Sequence, residues 1–238
     1  MILVTLSRGY AKAIENCGSY TVEHEEFLRN PSKFSCVLFT GGADVDPSRY
    51  NDTSPLNICG FIKQRDALEF QIAEVAIKNN IPMLGICRGI QLLNVVAGGR
   101  LMHDVNNHAG STHEIRTIDG GEFFVNSLHH QMALPPADAI VTAWSSKKRS
   151  RRYIGKHDLP EDYEGEEIEA VLYPEIKAFG VQYHPEMMSK CSIGHKYFSR
   201  AAEIVVNEGF NSFMAKVTTK NWYTDEHTKE NSSSGSFI

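Results

Sequence analysis

Residues 85–89, Gly-Ile-Cys-Arg-Gly, set a lone cysteine between two glycines where an apolar run gives way to a helical pattern. A nucleophile carried on a strand-to-helix turn needs small residues two before and two after it, because the bent backbone leaves no room for side chains there. Gly85 and Gly89 meet that need around Cys87. A free thiol is only about 3% thiolate at neutral pH, and lowering its pKa by about two or three units makes thiolate the major form. The N-terminus of a helix starting near Gly89 supplies part of that effect through its partial positive charge. An imidazolium neighbour supplies the rest and then protonates a leaving group.

Among ten histidines, His184 has the context for that neighbour, in Phe-Gly-Val-Gln-Tyr-His-Pro-Glu over 179–186. An apolar strand runs there into His-Pro-Glu. Residues two apart in an extended chain point the same way, so Glu186 is placed to accept from the His184 imidazole. Pro185 fixes the backbone between them. Alone, His184 and Glu186 read as a surface pair at a strand end; beside Cys87 they complete a nucleophile, base and orienter. Acyl chemistry also needs donors for an oxyanion, each contributing on the order of 3 kcal/mol in the transition state. The N–H of Arg88, next to the nucleophile, is one, and Gly41-Gly42, at the end of an earlier strand, offers the other. A phosphatase loop would carry arginine six residues after its cysteine; Leu93 stands there instead.

The elements that must hold these residues follow from hydrophobic spacing. Strands are predicted over 2–6, 36–40 and 83–86, a short helix over 8–16, and an amphipathic helix over 65–79 stopped before Pro82. A helix over 89–97 ends at Gly98-Gly99. Alternating apolar strands and helices imply a parallel sheet covered on both faces. After residue 100 the pattern turns β-like, with strands over 115–118, 122–125, 139–144, 168–172 and 179–183, a hairpin turn at Asp119-Gly120-Gly121, and a closing helix over 195–206. One domain over 1–217 is expected, followed by a polar, flexible tail over 218–238.

Five unpaired-looking cysteines suit a reducing compartment, and the net charge of −5 argues against a phosphate-tracking nucleic-acid surface. No apolar run approaches the roughly 18 residues of a membrane span, and the apolar start is too short for a signal peptide. A cytoplasmic protein with no cofactor is expected.

These segments resemble the class I glutamine amidotransferase superfamily, and within it the gamma-glutamyl-gamma-aminobutyrate hydrolase-like branch. The matching pieces are Gly-Gly-Ala-Asp-Val-Asp-Pro (41–47), Arg-Asp-Ala-Leu-Glu (65–69), Leu-Gly-Ile-Cys-Arg-Gly-Ile-Gln (84–91), Gly-Gly-Arg-Leu (98–101), Val-Asn-Ser-Leu-His-His-Gln (125–131) and Gly-Val-Gln-Tyr-His-Pro-Glu (180–186). The resemblance implies a flavodoxin-like three-layer α/β sandwich, with a mostly parallel central sheet and added antiparallel strands. It implies Cys87, His184 and Glu186 as catalytic triad and Gly42 and Arg88 as oxyanion hole. Gly41, Gln91, Asn126, Ser127, Leu128, His129 and His130 would then meet the substrate. The expected reaction is hydrolysis of a gamma-glutamyl amide through a glutamyl thioester; the alternative is a glutaminase feeding ammonia to a partner synthetase. A catalytically silent binding protein on the same scaffold is a third class, disfavoured by the intact triad. The partners are a small gamma-glutamyl molecule and, left open, a synthetase or a second copy in a homodimer.

Two features depart from the family pattern. Only 35 residues precede the strand at 36, so an element beside the pocket is expected to be trimmed. Residues 147–167 look inserted, and a solvated hairpin is expected in which the acidic half, 161–167, neutralises Lys147 to Arg152. The alternative is a basic site for a phosphate-bearing substrate or an acidic partner. His103, Asp104, His108, His113 and Glu114 crowd together, but their spacing matches no zinc motif, so loop histidines and no metal are expected.

Overall fold

The computed structural model describes residues 1–224 of the 238. Nine strands form one sheet: β1 (Ile2–Val4), β2 (Tyr20–Thr21), β3 (Cys36–Phe39), β4 (Met83–Ile86), β5 (Ala109–Thr117), β6 (Glu122–Leu128), β7 (Ile140–Ser145), β8 (Ile168–Tyr173) and β9 (Ala178–Val181). Their spatial order is β2-β1-β3-β4-β9-β8-β7-β5-β6. From β2 to β9 the neighbours are parallel, and from β9 to β6 they are antiparallel. The chain therefore has the flavodoxin-like α/β architecture expected, with antiparallel strands added at one side.

Among the described residues five α-helices cover the sheet: α1 (His24–Arg29), α2 (Lys63–Lys78), α3 (Arg88–Val96), α4 (Ile193–Asn207) and α5 (Phe210–Lys216). Alternation along β1 shows the two faces. Leu3 joins the core made with α2 and α3, whereas Ile2 and Val4 join the one made with α4, α5 and the 3-10 segment Arg8–Cys17. Among the described residues no helix is long and apolar enough to cross a membrane.

Three expectations need correction. The tail set to begin at 218 starts inside packed structure: Tyr223 is buried and, with Trp222, stacks around Tyr197. Its remainder, 225–238, lies outside the described residues. The stretch 147–167 is not a self-neutralised hairpin. Tyr153–Ile154 pairs with Asp104–Val105, Arg152 meets Asp104, and Glu161 pairs with Arg100, so the segment docks on 100–108. Glu167 is buried and accepts the Arg149 and Ser150 backbone N–H groups, at 2.8 and 2.7 Å. The basic side chains are engaged too: Arg149 donates to the Asn107 carbonyl and Lys148 to that of Tyr163. Finally, His103, His108 and His113, expected as loop histidines, are buried, and His113 lies within β5. Each faces a carboxylate from a segment more than 50 residues away in sequence, Asp158, Glu167 and Glu169 respectively.

The glycines bracketing Cys87 are demanded by backbone, not by side chains that could move aside. A Cβ on Gly89 would lie 2.2 Å from the Phe39 carbonyl oxygen, and one on Gly85 would lie 2.5 Å from the Gly89 carbonyl carbon. Gly89→Ala is expected to lower stability by about 3 kcal/mol in urea denaturation. Gly9→Ala, whose added carbon meets nothing closer than 3.8 Å, is expected to stay within about 0.5 kcal/mol of wild type.

Candidate active site

Cys87 joins β4 to α3 with φ 54° and ψ −108°, a left-handed backbone that a non-glycine residue adopts only under constraint. Its N–H donates to the Val181 carbonyl at 2.8 Å, tying the turn to β9. Cys87 stands at the N-cap position of α3 and is buried.

His184 follows β9, the strand beside β4. Its Nδ1 lies 2.7 Å from Glu186 Oε1, so Nδ1–H donates to the carboxylate and Nε2 is left for the Cys87 sulfur. Burial opposes a charged ring here, but hydrogen bonding and negative charge from Cys87 and Glu186 outweigh it. Together they raise the His184 pKa from 6.5 to about 10. The contact with Glu186 arises differently from the extended chain expected. Pro185–Met187 is a 3-10 turn, with Pro185 at its first position, and the turn rather than strand alternation brings Glu186 under the ring. Asn126, expected against substrate, clamps the His184 backbone instead: Nδ2 donates to the His184 carbonyl at 3.0 Å and Oδ1 accepts its N–H at 2.8 Å. His195 secures the turn by donating to the Pro185 carbonyl at 2.9 Å.

Gly41 and Gly42 leave β3 at the same edge of the sheet as Cys87, since β3 and β4 run parallel with Phe39 opposite Gly85. A Cβ on Gly41 would lie 2.4 Å from the Tyr10 hydroxyl and 3.0 Å from the His184 ring. Gly42 takes φ 140°, and a Cβ there would meet Arg65 at 2.0 Å. Arg65 donates to the Thr40 and Gly41 carbonyls, both at 3.0 Å, and fixes this loop.

The side chain of Arg88 turns away from the cysteine. It is 1% exposed and held between Asp66 and Glu69 of α2. Glu69 also accepts from Arg65 at 3.0 Å and from Thr5 at 2.6 Å, and Asp66 accepts the Asp46 N–H at 2.9 Å. Burial pushes the Asp66 carboxyl above its ordinary range even beside the guanidinium. The motif 65–69 carried this network, since positions 65, 66 and 69 share one helical face. Sequence reasoning read it only as family likeness. Tyr10 went unnoticed altogether; burial, then the charges of Glu186 and Cys87, push its hydroxyl up to about 12.

The expected substrate residues divide. Gln91 donates to the Gln131 carbonyl and to Gln182, both at 3.3 Å. Ser127 donates to the His108 carbonyl at 2.6 Å, and His129 is buried with Nδ1 donating to the Gln131 carbonyl at 2.9 Å. These three are engaged within the protein. Leu128 is exposed, and His130 is partly exposed between Asp44 and Asp104, at 3.1 and 3.4 Å. Hydrogen bonding with Asp44 raises the His130 pKa.

A cysteine elbow on a parallel α/β sheet, with a histidine and glutamate delivered by the next strand, defines a class I glutamine amidotransferase-like protein. The chain belongs to the peptidase C26 family, whose model matches residues 4–149. It is 29% identical over 174 residues to protein NtpR of Enterococcus hirae, covering 63% of this chain and 66% of that one. It is also 29% identical over 154 residues to the glutamine amidotransferase-like protein YvdE of Lactococcus lactis, covering 63% and 65%. The chain thus spans just under two thirds of the length of both relatives. The fold matches a glutamine amidotransferase from Thermotoga maritima with a TM-score of 0.53 and 17% identity, over 91% of this chain and 96% of that one.

Two outcomes follow. A raised histidine pKa lends stability that is complete below about pH 6.5 and lost as pH rises toward 10. In Cys87→Ala the sulfur's contribution disappears, so the His184 pKa, followed by NMR titration, falls and the loss of stability moves to lower pH. Arg88→Ala strands two buried carboxylates and is expected to cost about 3–5 kcal/mol in urea denaturation. Removing all three charges together, in Asp66→Leu/Glu69→Met/Arg88→Met, costs less than Arg88→Ala alone.

Proposed function

We propose that the chain hydrolyses a gamma-glutamyl amide, as the gamma-glutamyl-gamma-aminobutyrate hydrolase-like branch does, with Cys87, His184 and Glu186 as a catalytic triad. The observations that carry this are the Cys87 elbow at the end of β4 and, from the adjacent parallel strand β9, the His184 ring held 2.7 Å from Glu186 Oε1. The Cys87 thiolate attacks the side-chain carbonyl carbon of the gamma-glutamyl group, and the carbonyl oxygen becomes an oxyanion. The N–H groups of Arg88 and Gly42 receive that charge, in a loop kept rigid by Arg65. The C–N bond then breaks as the His184 imidazolium gives its proton to the departing amine, leaving a glutamyl thioester. A water, deprotonated by the now neutral His184, attacks the thioester; the C–S bond breaks and glutamate leaves.

Gly41 lines the loop beside His184, and His130 and Leu128 keep the surface that the amine end of a substrate can meet. Gln91, Asn126, Ser127 and His129 support the surroundings of the site through the hydrogen bonds they make within the protein. A second reading, release of ammonia from glutamine to a synthetase partner, is supported by the likeness to a glutamine amidotransferase-like protein.

Purified protein supplied with L-glutamine and a panel of gamma-glutamyl amines, with and without candidate synthetases, separates the two by glutamate release. Turnover of extended amides by the protein alone supports the hydrolase; glutamine turnover that needs a synthetase supports ammonia donation. No turnover of any of these overturns both. Cys87→Ala is expected to lose at least about 10⁴-fold in kcat, and Glu186→Gln about 10²- to 10⁴-fold.

A further inference from the structure

Behind the site, four titratable side chains that the reaction does not use converge in the interior. His108, His113, His129 and Glu169 are all at most 5% exposed. Glu169 Oε1 lies 2.8 Å from His113 Nε2, 3.8 Å from His108 Nδ1 and 3.9 Å from His129 Nε2.

The ring protons can be assigned from what each ring touches. His129 Nδ1 faces the Gln131 carbonyl at 2.9 Å, which can only accept, so Nδ1 carries the proton. A neutral ring with its proton on Nδ1 leaves a lone pair on Nε2, which is buried and has no hydrogen-bond partner among the described residues. His108 Nε2 lies 3.2 Å from Glu167, whose carboxylate also accepts from two backbone N–H groups and Tyr153, so Nε2 is the donor. His108 Nδ1 then also presents a lone pair. The Ser127 hydroxyl lies 3.3 Å from His108 Nδ1 but gives its proton to the His108 carbonyl, at 2.6 Å, and so does not cap that lone pair. Glu169 Oε2 likewise has no partner among the described residues. In these tautomers two nitrogen lone pairs and a carboxylate face one another. A cation at their centre would be attracted by all three groups.

We propose that His108 Nδ1, His129 Nε2 and the Glu169 carboxylate bind a divalent transition-metal ion of the zinc class. Zinc–nitrogen and zinc–oxygen bonds of about 2.1 Å put tetrahedral ligands about 3.4 Å apart, so the 3.8 and 3.9 Å separations need only a small contraction. The surroundings are those of a metal site: each ligating ring donates its other N–H, to Glu167 or to the Gln131 carbonyl, and His113 donates to Glu169. The ion would pin residues 126–131 to β8, and Asn126 at the head of that segment holds the backbone of His184. Its role is to brace the histidine side of the site from outside the reaction.

A second group, Cys59, His103 and Asp158, also lies within metal-ligand range and serves as an internal control. Its carboxylate already accepts from Ser54 and the Leu56 N–H, and its sulfur from Gln131. Tag-free, full-length protein is stripped with a chelator, dialysed, and titrated with Zn²⁺ and Co²⁺. Bound metal is counted by elemental analysis, with Tm and the visible cobalt spectrum as further readouts. Expected are one ion per chain, a Tm rise of about 5–10 °C at a hundredfold excess over Kd, and a cobalt spectrum without a sulfur charge-transfer band. His129→Asn and Glu169→Gln should weaken binding at least about tenfold, and Cys59→Ser should leave it unchanged. Failure of wild type to bind either ion overturns the proposal, as does a sulfur band, or binding lost in Cys59→Ser. Should the core variants not fold, the wild-type stoichiometry and the cobalt band still decide.

Discussion

The structure is organised around one strained residue. Cys87 holds a left-handed backbone where β4 stops and α3 starts, and that conformation is tolerated only because its neighbours leave no alternative. The turn forces the first coil of α3 back against β3 and β4. Gly89 then faces the Phe39 carbonyl, and Gly85 faces the peptide that follows Gly89. A side chain at either place would separate helix from sheet and let the backbone relax. The reward for the strain is position: a thiol at the N-terminus of a helix, above the edge of a parallel sheet.

Strain at one residue persists only if the surroundings over-determine it, and here ion pairing supplies that. Arg88, the first residue of α3, is buried with two carboxylates of α2. Burying three charges is a poor route to stability, since desolvation opposes the Coulomb attraction. What the arrangement gives is geometry. Glu69 joins Arg88 to Arg65 and Thr5, and Arg65 reaches the carbonyls of Thr40 and Gly41. One hydrogen-bonded set thus ties the residue after the cysteine to the loop proposed to receive the oxyanion. The planar guanidinium suits this role because its fork meets two acids at once.

The sequence disclosed the parts of this design that are local. Apolar runs at 36–39 and 83–86, the bracketing glycines and the helix stops are written in consecutive residues, and those elements formed within a residue or two of where they were expected. Features depending on distant partners were illegible. His108 and His113 looked like loop residues because Glu167 and Glu169, which make their burial tolerable, lie more than 50 positions onward. The basic run from Lys147 looked self-contained for the same reason; its partners sit at 104–107 and in the backbone. Even the meeting of His184 and Glu186 was anticipated through the wrong geometry, since a proline-led 3-10 turn, not an extended strand, closes it.

Sheet register explains why a cysteine and a histidine 97 positions apart come together at all. β4 and β9 are adjacent and parallel, with Ile86 opposite Val181. Neighbouring strands lie about 4.8 Å apart, so chains leaving the same edge are already within side-chain reach of each other. Cys87 follows its strand immediately, whereas His184 comes three residues after Val181, and that offset carries the imidazole outward over the elbow. A slip of one residue between these strands would exchange inward and outward side chains along β9. Gly180 blocks it on one side, because a Cβ there would lie 2.7 Å from that of Ile90 in α3. The helix that begins after Cys87 therefore also restricts the register of the strand that delivers His184.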